Sequence, residues 1–275
     1  QIQTWINLQK GDSKRMKILN HIRVIMTAFM TVMVLVFVPK IGAKQIFYNS
    51  LDSEKAVNDG GGKVHAGVFV EGAFDNGFYS EKAGEAVSFP TDGQLLLEAG
   101  SIALWVKVMI DIKKVPGESF IFMMYKRGSD AFFINHSHAW NAAGICWMIK
   151  HNGNWFANGN GKSCSQPLDW KKGETHFIVT TWGPKGMKLW IDGGLEGHVK
   201  DHKTGPAKID DDFWIGNIEI EKGSTLPSQW VQDELYIFDT QLEKAEVTDL
   251  MKSSLAVEPS ANQLALTWGT IKLKK

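Results

Sequence analysis

Thr175-His-Phe-Ile-Val-Thr-Thr-Trp-Gly-Pro-Lys-Gly-Met-Lys-Leu-Trp-Ile-Asp-Gly-Gly194 spells a strand, a tight turn and a second strand. β-Branched and aromatic residues fill both arms, and Gly183-Pro-Lys-Gly186 supplies the turn. Side chains alternate across a strand, so Ile178, Thr180 and Trp182 share one face while Phe177, Val179 and Thr181 share the other. In the return arm Met187, Leu189 and Ile191 face one way, and Lys188 and Trp190 the other. Apolar groups on both faces predict a hairpin in the middle of a sheet, covered on both sides.

The same texture extends outward. Residues 101–110, 120–125, 144–150, 213–216 and 230–238 are β-branched and aromatic runs bounded by Gly, Pro, Asn and Asp, and each is predicted to be a strand. One helix is predicted, from Gln241 to about Lys252, opened by Asp239 or Thr240 with Glu243 completing a Thr-x-x-Glu capping box. Many short strands with turn residues between them predict an all-β fold. The expected form is a two-sheet antiparallel jelly-roll sandwich with a short C-terminal helix. No internal repeat interrupts it.

The chain has 275 residues, 44% of them hydrophobic, enough to bury a substantial core. Six of the 30 Lys and Arg, and one of the 30 Asp and Glu, precede residue 44. That leaves 24 basic against 29 acidic residues from residue 44 onward, a net of −5, which is no electrostatic footprint for nucleic acid. The basic excess flanks an uncharged run over residues 24–38, with Lys17 and Arg23 before it and Ile41-Gly-Ala43 after it as a small-residue cleavage site. This layout predicts a secretory signal over 16–43, with residues 1–15 as an upstream extension ahead of Met16. A retained anchor is the alternative, although the run is short of the ~20 residues a span needs. The body is then expected over 44–258 and a C-terminal tail over 259–275. The protein is expected to be secreted, periplasmic or at the cell surface, with no membrane insertion after cleavage.

Cys146 and Cys164 lie 18 positions apart, and in an exported chain such a pair forms a disulfide or stays as two buried thiols. Neither has the spacing of a zinc site.

In order along the chain, His176 to Trp182, Lys188-Leu-Trp-Ile-Asp-Gly193, Ile215-Gly216 and Asp233-Glu-Leu-Tyr-Ile-Phe238 resemble the strand signatures of the LamG-like branch of the concanavalin A-like lectin/glucanase superfamily. Gly84-Glu-Ala-Val-Ser-Phe89 and Gly100-Ser-Ile-Ala-Leu-Trp-Val-Lys107 are similar to its earlier strands. The matches run over roughly residues 46–252. The resemblance implies a jelly roll and a structural calcium ion held by Asp233, with Asp52 or Asn49 as partners. Hard oxygen ligands of this kind suit calcium. It also raises the prospect of a glucanase, whose Glu-x-Asp-x-x-Glu set is not found, since no Glu is followed two places later by Asp. Asp233 and Glu234 would point to opposite strand faces, so they cannot act as a retaining pair.

The residues themselves offer one ligand-like region. Trp140 and Trp155, with His138 and Asn154, sit among Asn and Gly outside the predicted strands, where a ring can take a sugar face and amides its hydroxyls. His136 and His138 could join His151 on a transition metal, but spacing fixes no third ligand, so a polar loop is preferred. Gly161-Lys-Ser163 would be a P-loop only with Gly at the position Phe156 occupies. Trp105, Trp182, Trp190 and Trp214 lie within strands and are expected to fill the core. Together these features predict an exported, non-enzymatic module that binds a glycan. An extracellular protein-interaction or surface-assembly module, or a hydrolase with another arrangement of acids, are the alternatives.

Overall fold

The computed structural model describes residues 42–82, 84–115, 117–126, 129–137, 144–156, 164–216 and 229–256. In chain order the first strands are β1 (Gln45–Asn49), β2 (Lys63–Val64), β3 (Val68–Glu71), β4 (Asn76–Tyr79) and β5 (Ala86–Pro90). A short helix, α1 (Glu54–Asp59), follows β1 and is capped by the Ser53 hydroxyl, which accepts from the Ala56 amide at 3.2 Å. Next come β6 (Gly100–Val108), β7 (Ser119–Lys126), β8 (Asp130–Ser137), β9 (Gly144–His151) and β10 (Asn154–Phe156). The set ends with β11 (Thr175–Trp182), β12 (Met187–Ile191), β13 (Gly194–Val199), β14 (Asp212–Gly216) and β15 (Trp230–Phe238), followed by helix α2 (Lys244–Ala256). No helix among the described residues is long and apolar enough to cross a membrane.

The strands form two antiparallel sheets, so the chain is an all-β, two-sheet sandwich. The first has the order β13-β12-β11-β6-β15-β4-β3, with β1 also paired to β15, and the second has the order β10-β9-β8-β7-β14-β5-β2. The β11–β12 hairpin sits inside the first sheet, in the register Ile178↔Ile191 and Thr180↔Leu189. Its turn into β13 uses Asp192 (φ 49°) and Gly193 (φ 78°), an Asp-Gly pair suited to a tight hairpin.

Period-two alternation decides what is inside. Ile102, Leu104, Val106, Ile178, Leu189 and Ile237 from the first sheet meet Val87, Phe122, Phe132, Ile134, Trp147 and Phe213 from the second in one core. The rings there interlock, with Phe47 edge-on to Phe89 and Phe213 at 5.0 and 5.5 Å between centroids. Each such pair adds about 1 kcal/mol beyond area burial. The opposite face of the first sheet, carrying Trp105, Phe177, Trp190 and Phe238, is covered by Leu242, Val247 and Leu250 at and within α2.

Helix α2 begins three residues later than predicted. The Glu243 carboxylate is drawn away to Lys185 and Lys188 at 2.9 and 3.2 Å, and Glu246 takes the capping role by accepting from the Glu243 amide at 2.8 Å. Ser101 holds the approach by donating to Thr240 O and accepting from the Leu242 amide. β8 also corrects the expectation of a polar loop at His136. That side chain lies in a strand, fully buried, with its Nδ1 3.1 Å from Gly117 O.

Candidate ligand-binding face

Cross-strand register lays out the outward face of the second sheet. Residues directly opposite one another point to the same side, so Lys63, Ser88, Trp214, Met123, Phe133 and Met148 form one row across it. A second row holds Trp155, Lys150 and Ala131, and a third holds Cys146, Asn135 and Phe120. Phe120, Met123, Ala131, Phe133, Cys146, Met148 and Cys164 pack as a small cluster here, with Trp155 at its margin.

Trp155, placed outside strands by sequence reasoning, belongs to β10, and its alternation with Phe156 turns it outward while Phe156 packs against the core. The half-buried Trp155 ring rests on Phe133 at 5.5 Å, and the Lys150 ammonium lies 5.3 Å from its centroid. Asn154, beside it, is exposed. The aromatic contact continues from Phe133 to Phe120 at 5.2 Å, but both of these rings are buried, so within this run the open ring surface is that of Trp155. Cys146 and Cys164 are joined in a disulfide that closes the chain around the β9–β10 hairpin. His138 and Trp140 lie outside the described residues.

At the far end of this aromatic run stands a polar pair. The Asn135 amide donates to the Glu118 carboxylate, while Asn135 Oδ1 is buried with no hydrogen-bond partner among the described residues. Burial pushes the Glu118 carboxyl up, and the Asn135 bond opposes that rise. At the opposite edge, half-buried Trp214 packs on His65 at 4.8 Å, and His65 Nε2 lies 2.9 Å from Ser88 Oγ. Trp214 is thus an outward residue, correcting its expected place in the core. Strict alternation with buried Phe213 and Ile215 already implied it.

The residues expected to hold calcium lie on the other sheet, where β15 changes neighbours. One edge of β15 pairs with β6, while its other edge pairs first with β4, at Val231 and Gln232, and then with β1, at Leu235 to Phe238. Asp233 and Glu234 occupy the irregularity between, and Glu234 takes a φ of 53°. Asp233 Oδ2 accepts from the Ala73 and Phe74 amides at 2.8 and 3.1 Å, and its Oδ1 is buried without a hydrogen-bond partner among the described residues. Burial pushes its carboxyl up to about 7, and the charges of Glu234 and Asp52 add to the rise. Glu234 accepts from the Tyr48 and Tyr236 hydroxyls at 3.2 and 2.6 Å. Asn49 does not serve as expected. Its Oδ1 accepts from the Leu51 amide and its Nδ2 donates to Ala56 O, so it braces the turn into α1. Among the described residues no three His, Cys, Asp or Glu are grouped to hold a metal ion. Of the three histidines, the two that are described stand apart. His136 and His151 lie at opposite ends of the β8–β9 pair, with His151 Nδ1 2.8 Å from Gly205 O.

No protein-family model matches the sequence, and a comparison with curated proteins gives no match. Solved structures share the fold. Domain 4 of AbnA, a GH43 extracellular arabinanase from Geobacillus stearothermophilus in complex with arabinotriose, aligns with a TM-score of 0.58 at 16% identity, over 76% of this chain and 98% of that one. The receptor-binding domain of botulinum neurotoxin D aligns at 0.55 with 17% identity, over 77% of this chain and 53% of its own. A Trypanosoma rangeli sialidase mutant displaying trans-sialidase activity aligns at 0.54 with 14% identity, over 79% of this chain and 34% of its own. The chain therefore spans about half of the toxin domain and about a third of the sialidase. At these identities the likeness is one of fold, that of a two-sheet β-sandwich.

Proposed function

We propose that the chain is an exported, non-enzymatic binding module of LamG-like type whose ligand is a glycan, taken on the outward face of the second sheet around Trp155. The observation that carries this reading is Trp155 itself, a half-buried ring at the margin of an aromatic run with the Lys150 ammonium beside it. That combination offers a pyranose or furanose an apolar contact and, in the ammonium, a hydroxyl partner at one spot. A related fold solved with arabinotriose is in keeping with it. The acids of β15 support the non-enzymatic part, because Asp233 is fully buried and Glu234 is occupied by two tyrosine hydroxyls.

Calcium is a subsidiary proposal. Asp233 fits it through its unpaired buried oxygen, with Asp52 acting on the same acidic group, and Asn49 does not. A bound cation would neutralise charge there and brace the β1–β15–β4 junction.

The test is a glycan array on the full chain beside Trp155→Ala and Asn154→Ala, with circular dichroism as the folding control. Loss of signal by about tenfold or more in folded Trp155→Ala supports the reading. Undiminished binding in that variant, or a blank array with specific capture of a protein ligand, overturns it.

A further inference from the structure

We propose that His151 and His202 hold one divalent transition metal ion between them, copper(II) ahead of zinc, and that the ion fastens the segment between β13 and β14 onto the β9–β10 hairpin. The two rings come from distant parts of the chain and stand 5.9 Å apart between centroids, at 73° to one another. Imidazoles that share an ion through one nitrogen each, at about 2 Å, set their centroids roughly 5–6 Å apart. The pair is therefore spaced for a shared ion.

The tautomers follow from the hydrogen bonds. His151 Nδ1 lies 2.8 Å from Gly205 O, and a carbonyl only accepts, so Nδ1 carries the proton and Nε2 of the neutral ring keeps its lone pair. His202 donates to the backbone of Thr204 while its Nε2 is buried with no hydrogen-bond partner among the described residues, so there too Nδ1 is the donor. Ligating histidines are oriented in this way, with Nδ1–H given to a carbonyl and Nε2 left for the ion. Without an ion, the buried His202 nitrogen costs free energy. Burial and the neighbouring His151 push the His202 ring down to about 4, so at neutral pH it is uncharged, as a ligand must be.

The frame around the pair is pinned. The Gly205 amide donates to Leu97 O at 2.7 Å and the Ala207 amide to Asp130 Oδ1 at 2.7 Å, while the His202 ring stacks on Phe156 at 3.8 Å. No third His, Cys, Asp or Glu joins them among the described residues, so water takes the other positions. Imidazole donors suit copper and zinc rather than calcium. Because Phe156 follows Trp155 in β10, the ion also steadies the strand that carries that ring.

The experiment is titration of the full chain with copper(II) and with zinc at neutral pH, with calcium in excess throughout so that the acids around Asp233 stay out of the readout. Calorimetry, thermal melting and copper electron paramagnetic resonance are applied to wild type, His151→Gln, His202→Gln and His198→Gln. One ion per chain is expected, with copper bound more tightly than zinc and a melting temperature that rises with metal concentration. His151→Gln and His202→Gln should each lose at least about tenfold in affinity, since disturbing an outer-shell partner already costs that much, and His198→Gln should bind as wild type does. The copper spectrum of wild type should show two nitrogen ligands, a result that needs no variant to fold. Affinity that is equal in all four proteins or that falls in His198→Gln, a spectrum without two nitrogens, or no binding below about millimolar metal overturns the site.

Discussion

Asp233 puts a carboxyl where water cannot reach and satisfies one of its two oxygens with backbone amides from the start of the β3–β4 connection. The consequence is a link between pH and stability whose sign is fixed. Its carboxyl moves from an ordinary 3.8 to about 7 on folding, so between those values the folded chain holds a proton that the unfolded chain has released. The contribution is fully present below the unfolded value and is lost as pH rises through the folded one. At ~1.36 kcal/mol per pH unit the effect is at most about 4 kcal/mol. Glu234 and Asp52, also raised by burial, push in the same direction. With chelator present, the urea midpoint should therefore increase as pH falls from about 8 to about 6. Asp233→Asn should flatten that trend and be the more stable protein at the alkaline end. An unchanged slope in the variant would show that Asp233 does not titrate as described. The adjacent acids were visible in the sequence as a pair. Their burial was not, because the irregularity that holds both depends on β15 exchanging β4 for β1.

At the scale of elements, legibility tracked composition. β6, β7, β9, β11, β12, β14 and β15 stand out as β-branched and aromatic runs, whereas β8 closes on Asn135 and His136 and so reads as a loop. Each of those buried polar groups has one bond, Asn135 to Glu118 and His136 to Gly117 O, which local pattern cannot foresee. The start of α2 was misplaced for a related reason. A local Thr-x-x-Glu pattern cannot register that Lys185 and Lys188, distant in sequence, take the Glu243 carboxylate. The cysteine pair was left open by spacing alone, and the antiparallel bridge between Cys146 and Cys164 closes it. Because the bond constrains 18 positions of the unfolded chain, removing it in Cys146→Ala/Cys164→Ala should lower the unfolding free energy by about 3 kcal/mol. Urea titration of the variant, alongside wild type with and without reductant, measures this. A variant as stable as the oxidised wild type would show that the bridge contributes nothing to the folded chain.

For the molecule as a whole, the class of fold was readable from the run of strands, but their order in the sheets was not. β1 lies beside β15, joining Gln45 to Phe238, and β6 separates β11 from β15. Local pattern carries no information on partners so far apart, and closing such long loops is also what makes sandwiches slow to fold. The candidate site shows the same division. Trp155 and Asn154 could be chosen by residue type, while Glu118 and Trp214 join the face only through register. This architecture makes β1 a keystone despite its five residues. Phe47 packs on Phe89 and Phe213 of the second sheet, Tyr48 donates to Glu234, and Ser50 O accepts from the Glu234 amide. Loss of one large core ring costs about 3–5 kcal/mol. A domain holds only about 5–15 kcal/mol in total. Phe47→Ala should therefore leave a weakened but cooperative fold, with its urea midpoint lowered in proportion. Deleting residues 42–53 should remove the near-ultraviolet circular dichroism of the packed tryptophans and the sharp thermal transition together. It strips the ring, the β15 edge and the partners of Glu234 at once. A deletion variant that still melted sharply, with its aromatic signal intact, would mean that β15 needs only β6 and β4 to hold the first sheet together.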